Sequence, residues 1–154
     1  MSTKITYHYF EGDHEQHVRD VIAPWIPFLP HWLLRLRIRC QGKSEDGEHA
    51  SVDPCPDYRC ATINLFYEFY DRDISEQRQI MLHEIVHIHH WTFISWVRRL
   101  LLAPLKDENP RLYDAMWEEA RTRSENMACD VTESLVSLVE VQSLANQAKK
   151  ERKI

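Results

Sequence analysis

Two imidazoles four residues apart, with a carboxylate beside the first, form the group in this chain best suited to chemistry: His83-Glu84-Ile85-Val86-His87. On a helix, positions i and i+4 share one face, so His83 and His87 present their rings to a single point. Zinc takes such nitrogens at about 2.0–2.1 Å in a tetrahedral site. Glu84 can take the proton of a metal-bound water, whose pKa zinc lowers towards about 7. The chemistry expected is Zn2+-assisted hydrolysis with Glu84 as general base. The plain alternative is an amphipathic helix with surface histidines. Met81, Ile85, Ile88 and Thr92 follow helical spacing on the opposite face and are expected to bury it.

A catalytic zinc needs a third protein ligand and an open position. The later part of the chain offers Glu118, Glu119, Glu125, Cys129 and Asp130. Glu125 stands first among them, because it sits one turn before Ala128. That residue opens a stripe of Ala128, Val131, Leu135, Leu138, Val139 and Leu144. A carboxylate at the edge of a buried stripe is costly unless something pairs with it, and a metal is one such partner. The plain reading of each acid is a solvated helix residue paired with Arg121 or Arg123. His90 is three residues after His87 and is a candidate to border the cleft and stabilise an oxyanion, as is Tyr113, while His89 points elsewhere.

These residues need elements to hold them. The alternating segment 4–10 reads as a strand, 14–23 as a short helix stopped by Pro24, and the proline-broken 24–30 as a packed loop or turn. Residues 33–41 alternate apolar and basic side chains as a half-solvated strand does, and the polar 42–49 reads as a hairpin connection. Segments 50–54 and 60–71 supply further strands. From Ser75, a plausible N-cap, the pattern is helical, with the histidine pair inside 75–91. Asn109 and Pro110 open a second long helical run, with a break expected near 121–124. Strands first and helices afterwards argue α+β, with a small, mostly antiparallel N-terminal sheet.

The bounds agree with one domain, 1–154. The chain has 154 residues, 44% of them hydrophobic and 28% charged, the ordinary globular range. A net charge of -5 argues against a nucleic-acid partner. The N-terminus lacks the apolar core of a signal peptide, so a cytoplasmic location is expected, with Cys40, Cys55, Cys60 and Cys129 as free thiols. Cys55 and Cys60 bracket four residues, a weak metal signal. The apolar segment 91–105 carries Arg98 and Arg99 and is too short and too charged to span a membrane. It can continue the metal helix, pack in the core, line a substrate groove, form a partner or dimer face, or lie at a membrane surface.

The His83–His87 sequence, followed by Ser124-Glu125-Asn126-Met127-Ala128-Cys129-Asp130 with Glu125 38 residues after the second histidine, resembles the gluzincin branch of the zinc metallopeptidases, in its minimal single-domain form. The resemblance rests on residues 75–91 and about 118–135. It implies a zincin-like fold, a small sheet followed by the metal helix, and a second helix that brings the third ligand. His83, His87 and Glu125 would then be the zinc ligands, Glu84 the base, and a peptide or protein the substrate. An extended peptide would lie along the edge strand before the metal helix, here near 60–67. Where these enzymes often carry an acid four residues after the ligand glutamate, this chain has Cys129, and the acid, Asp130, comes one residue later. The alternative reading is a non-catalytic regulatory or protein-binding module that keeps the zincin-like frame.

Overall fold

The computed structural model describes the backbone of residues 3–151, and the side-chain surroundings up to residue 139 apart from Leu101. The chain is α+β. Its four strands are β1 (Lys4–His8), β2 (Arg35–Cys40), β3 (Ala50–Cys55) and β4 (Cys60–Leu65), in the spatial order β1-β2-β4-β3. β1 pairs with β2 and β2 with β4 in parallel, and only β3 pairs antiparallel, with β4. The sheet is therefore mixed, and the expectation of a mostly antiparallel one is corrected.

The order follows from the residues. Helix α1 (His14–Ile22) lies between β1 and β2, and a crossover element of that kind returns the chain for a parallel pairing. It brings Val18, Val21 and Ile22 wholly into the core. β4 buries Ala61, Ile63 and Leu65, and its neighbour Asn64 is also buried, so an interior position suits it. β3 contains Pro54, which has no N–H to donate, and Asp53; such a strand belongs at an edge. β4 therefore enters between β2 and β3, and residues 42–49 are not a hairpin connection. The hairpin is β3–β4, closed by the short 3-10 turn Pro56–Tyr58 and by Arg59, whose φ of 51° is left-handed.

The proline-rich segment, expected as a packed loop or turn, winds into a 3-10 helix, Ala23–Phe28, and the strand expected over 60–71 stops at Leu65. The next residues turn into the short helix α2 (Tyr67–Tyr70), which seats Phe69 in the core. Helix α3 (Ile74–Val97) then runs 24 residues. Its cap is Asp73, not Ser75: the Asp73 carboxylate accepts from the backbone N–H of Ser75 at 2.8 Å and of Glu76 at 2.9 Å. Met81, Leu82, Ile85 and Ile88 form its buried face, whereas Thr92 is exposed and lies outside that stripe.

A π-helical turn, Arg98–Leu102, and α4 (Ala103–Glu108) lead to α5 (Pro110–Glu151). Asn109 Oδ1 accepts from Leu112 N–H at 3.2 Å, as its capping position predicts. α5 is continuous through 121–124, so the expected break is absent. Ala128 is fully buried and Val131 and Leu135 pack against the core, but Leu138 is 64% exposed, so the stripe ends a turn earlier than its spacing suggests. Leu144 lies outside the described side chains. α3 packs against α5, α1 and β3, and this contact between helices and edge strand frames the site.

Candidate metal centre

The first turns of α3 are fixed from two sides. Gln77 is buried; its side-chain amide donates to the Phe69 and Arg72 carbonyls at 3.2 and 3.0 Å. Its Oε1 meets His17 Nε2 of α1 at 2.6 Å. With Asp73 capping below, the helix can neither slide nor roll, and the next two turns carry His83, Glu84 and His87 at a set height over the sheet.

There the two imidazoles converge as their spacing predicts. His83 Nε2 and His87 Nε2 stand 2.9 Å apart, with the rings nearly perpendicular at 82°. Glu125 reaches across from α5: one carboxylate oxygen is 2.9 Å from His83 Nε2 and the other 3.1 Å from His87 Nε2. Donors about 2.0–2.1 Å from a tetrahedral ion lie roughly 3.3–3.4 Å apart, so this triangle is within a few tenths of an ångström of a zinc-sized cage. The donor set of two nitrogens and one carboxylate oxygen suits the same ion. His87 is held below the usual imidazole range, chiefly by burial and then by His83, which keeps a lone pair free for a ligand role.

Glu84 is 7% exposed and faces the same groove. Burial first, then the charges of Glu125 and Glu48, push its carboxyl up to about 8. The groove encloses about 660 Å³ between α3, α5 and the outer strand β3. Its walls include Ala50, Ser51 and Val52 from β3, His83, Glu84 and His87 from α3, and Arg121, Glu125 and Cys129 from α5. The strand bordering the site is thus β3. β4, where the peptide edge was expected, is paired on both sides and offers none.

Among the described acids of α5 only Glu125 meets both histidines. Glu118 lies 3.8 Å from Arg121 and Glu119 2.7 Å from Arg123, as solvated helix acids do. Asp130 is exposed and outside the groove wall. Cys129 does line it: its sulfur, with donor atoms of His83 and Glu125, belongs to a group lying within 4.8 Å of one another. The His83–His87–Glu125 triangle is the tighter set and the better cage. Burial, then Glu125, Glu133 and Asp130, raise the Cys129 thiol above its ordinary range.

The two oxyanion candidates lie elsewhere. His90 borders a second, more apolar cavity of about 370 Å³ with His89 and Phe28, on another side of α3. Tyr113 is buried, and its hydroxyl accepts from Arg98 Nε at 3.4 Å. His89 Nε2 lies 2.7 Å from the Phe28 carbonyl oxygen, which can only accept, so the ring is the donor there. The cation in the groove is Arg121, one turn before Glu125, which sequence reasoning treated only as a partner for neighbouring acids. Its i–4 relation to Glu125 was the available signal. Thr132 was missed as well: it is buried, lines the groove, and its hydroxyl has no partner among the described residues. All four cysteines are free, and no described helix is long and apolar enough to cross a membrane. Comparison with protein-family models, curated proteins and solved structures finds no match for this chain.

Proposed function

We propose that this chain is a zinc-dependent hydrolase of the gluzincin type, acting on peptide bonds, with His83, His87 and Glu125 as metal ligands and Glu84 as general base. One observation carries the reading: two imidazole nitrogens and a carboxylate from a distant helix meet within 2.9–3.1 Å, beside a buried second carboxylate in an open groove. Zinc bound there supplies Lewis acidity and a water of lowered pKa. Glu84, whose carboxyl burial raises in the metal-free site, would be returned to its ionised form by a divalent charge beside it, and then accepts the proton of the attacking water and returns it to the leaving amine. Arg121 stands where it can hold a substrate carbonyl or carboxylate. β3, an edge strand with one unpaired side, suits an extended chain added as a further strand, which favours a peptide or protein substrate over a compact one. The exposed Phe93, Trp96 and Leu100 within 91–105 favour a protein partner or second copy at that face.

The test is a Glu84→Gln protein assayed for metal content and for hydrolysis of an unstructured protein such as casein. The variant is expected to keep its zinc while turnover falls roughly 100- to 10,000-fold. Undiminished turnover overturns the mechanism. A wild type that binds zinc but cleaves nothing leaves the non-catalytic binding module as the reading, and one that binds no metal ends the hydrolase reading.

A further inference from the structure

The groove contains one more donor than an open catalytic site requires. Cys129 follows Glu125 by one helical turn, so both side chains leave the same face of α5. Its sulfur lies in one group with the donor atoms of His83 and Glu125, all within 4.8 Å of one another. A second observation lies on the same wall of the groove. Thr132, one turn further along, is 7% exposed and lines this groove, and its hydroxyl is buried without a partner among the described residues. A buried hydroxyl with nothing to donate to is costly, and a coordinated thiolate three residues away would be an acceptor for it.

Resting on the metal reading above, we propose that Cys129 is the fourth ligand of the resting centre, joining the two histidines and the glutamate in a closed site that becomes active only when the sulfur swings away. The charge balance supports a closed resting state. Two neutral imidazoles and one carboxylate leave a divalent ion with a net charge of about +1, and a thiolate brings the site to neutrality with four protein donors, the pattern of structural zinc. On metal binding the Sγ–H bond breaks, its proton leaves to solvent, and the sulfur lone pair forms the bond to the ion. A centre so filled has no position for a water. Because Cys129 is exposed on its helix, a change of its side-chain rotamer is enough to vacate that position, with no movement of the backbone.

Cobalt(II) reports the ligand directly, since a thiolate–cobalt bond gives a near-ultraviolet charge-transfer band that nitrogen and oxygen ligands do not. The whole chain, loaded with one equivalent of Co2+, is expected to show that band. Cys129→Ser is expected to lose it while the weaker visible bands of bound cobalt remain. The corresponding serine variants of Cys40, Cys55 and Cys60 are expected to keep it. Cobalt bound without the band, or a band that survives in Cys129→Ser, overturns the proposal and leaves the His83–His87–Glu125 centre standing. No cobalt binding at all removes the metal reading and this proposal with it. Cys129→Ala is expected to hydrolyse protein faster than the wild type; equal or slower turnover by a variant that has lost the band overturns the latent state.

Discussion

Glu84 carries the largest electrostatic strain among the residues of the site. Its carboxyl is raised from 4.5 to about 8 by burial and by Glu125 and Glu48. Without a metal, a raised carboxyl stabilises the fold fully below about pH 4.5, and that contribution is lost as pH rises through about 8, because ionising it in the native state is opposed. In the presence of a chelator, Glu84→Gln should therefore gain thermal stability relative to the wild type as the pH is raised across this window. Melting curves at several pH values check it, and a constant difference would show that the Glu84 carboxyl ionises alike in the folded and unfolded chains. Glu125 makes the complementary case. Its two oxygens meet His83 and His87, while Glu118 and Glu119 sit near arginines of their own helix. Glu125→Ala should weaken zinc binding far more than Glu118→Ala or Glu119→Ala, as read by competition with a chromogenic chelator.

At the scale of elements, α3 does most of the positioning, and its start is set by a short side chain. Asp73 satisfies two N–H groups of the first turn, so Asp73→Ala should cost about 1 kcal/mol, measurable by urea denaturation. Ser75 was the cap expected from sequence, because serine is also a capping residue; the choice is made by where α2 ends and the chain turns, which local pattern does not encode. The same division runs through the molecule. The His83–His87 pair could be read directly, because four-residue spacing on a helix leaves one geometry. Glu125 was legible as the edge of a buried stripe, since Ala128, Val131 and Leu135 define that face. Strand order was not legible: alternation locates a strand and its buried side, but whether β2 meets β3 or β4 depends on pairing across 20 or more residues. Hence the groove's rim was expected near 60–67, and the true rim is β3, whose Pro54 marked it as an edge.

For the whole molecule, the proposed centre joins distant parts of the chain: two donors come from the helix that follows the sheet and one from the last helix. A ligand that binds only the native state stabilises it by about 2.7 kcal/mol at a hundredfold excess over its Kd. For a domain of this length roughly 2–4 °C accompanies each kcal/mol, so stripping zinc should lower the melting temperature by roughly 5–10 °C. Calorimetry with and without chelator checks this, with His83→Ala as the control expected to show no such difference. The passage from α4 into α5 gives this linkage a further meaning. Lys106 through Pro110 is exposed, lies between the donors of the two helices, and contributes none of them. If a protease severs the backbone there, two fragments result, each with an incomplete set of donors. In the proposed reading their reunion becomes a bimolecular reaction in which the ion adds a rivet to the packing of α5 on α3, so that added zinc is expected to raise the share of nicked protein that stays whole.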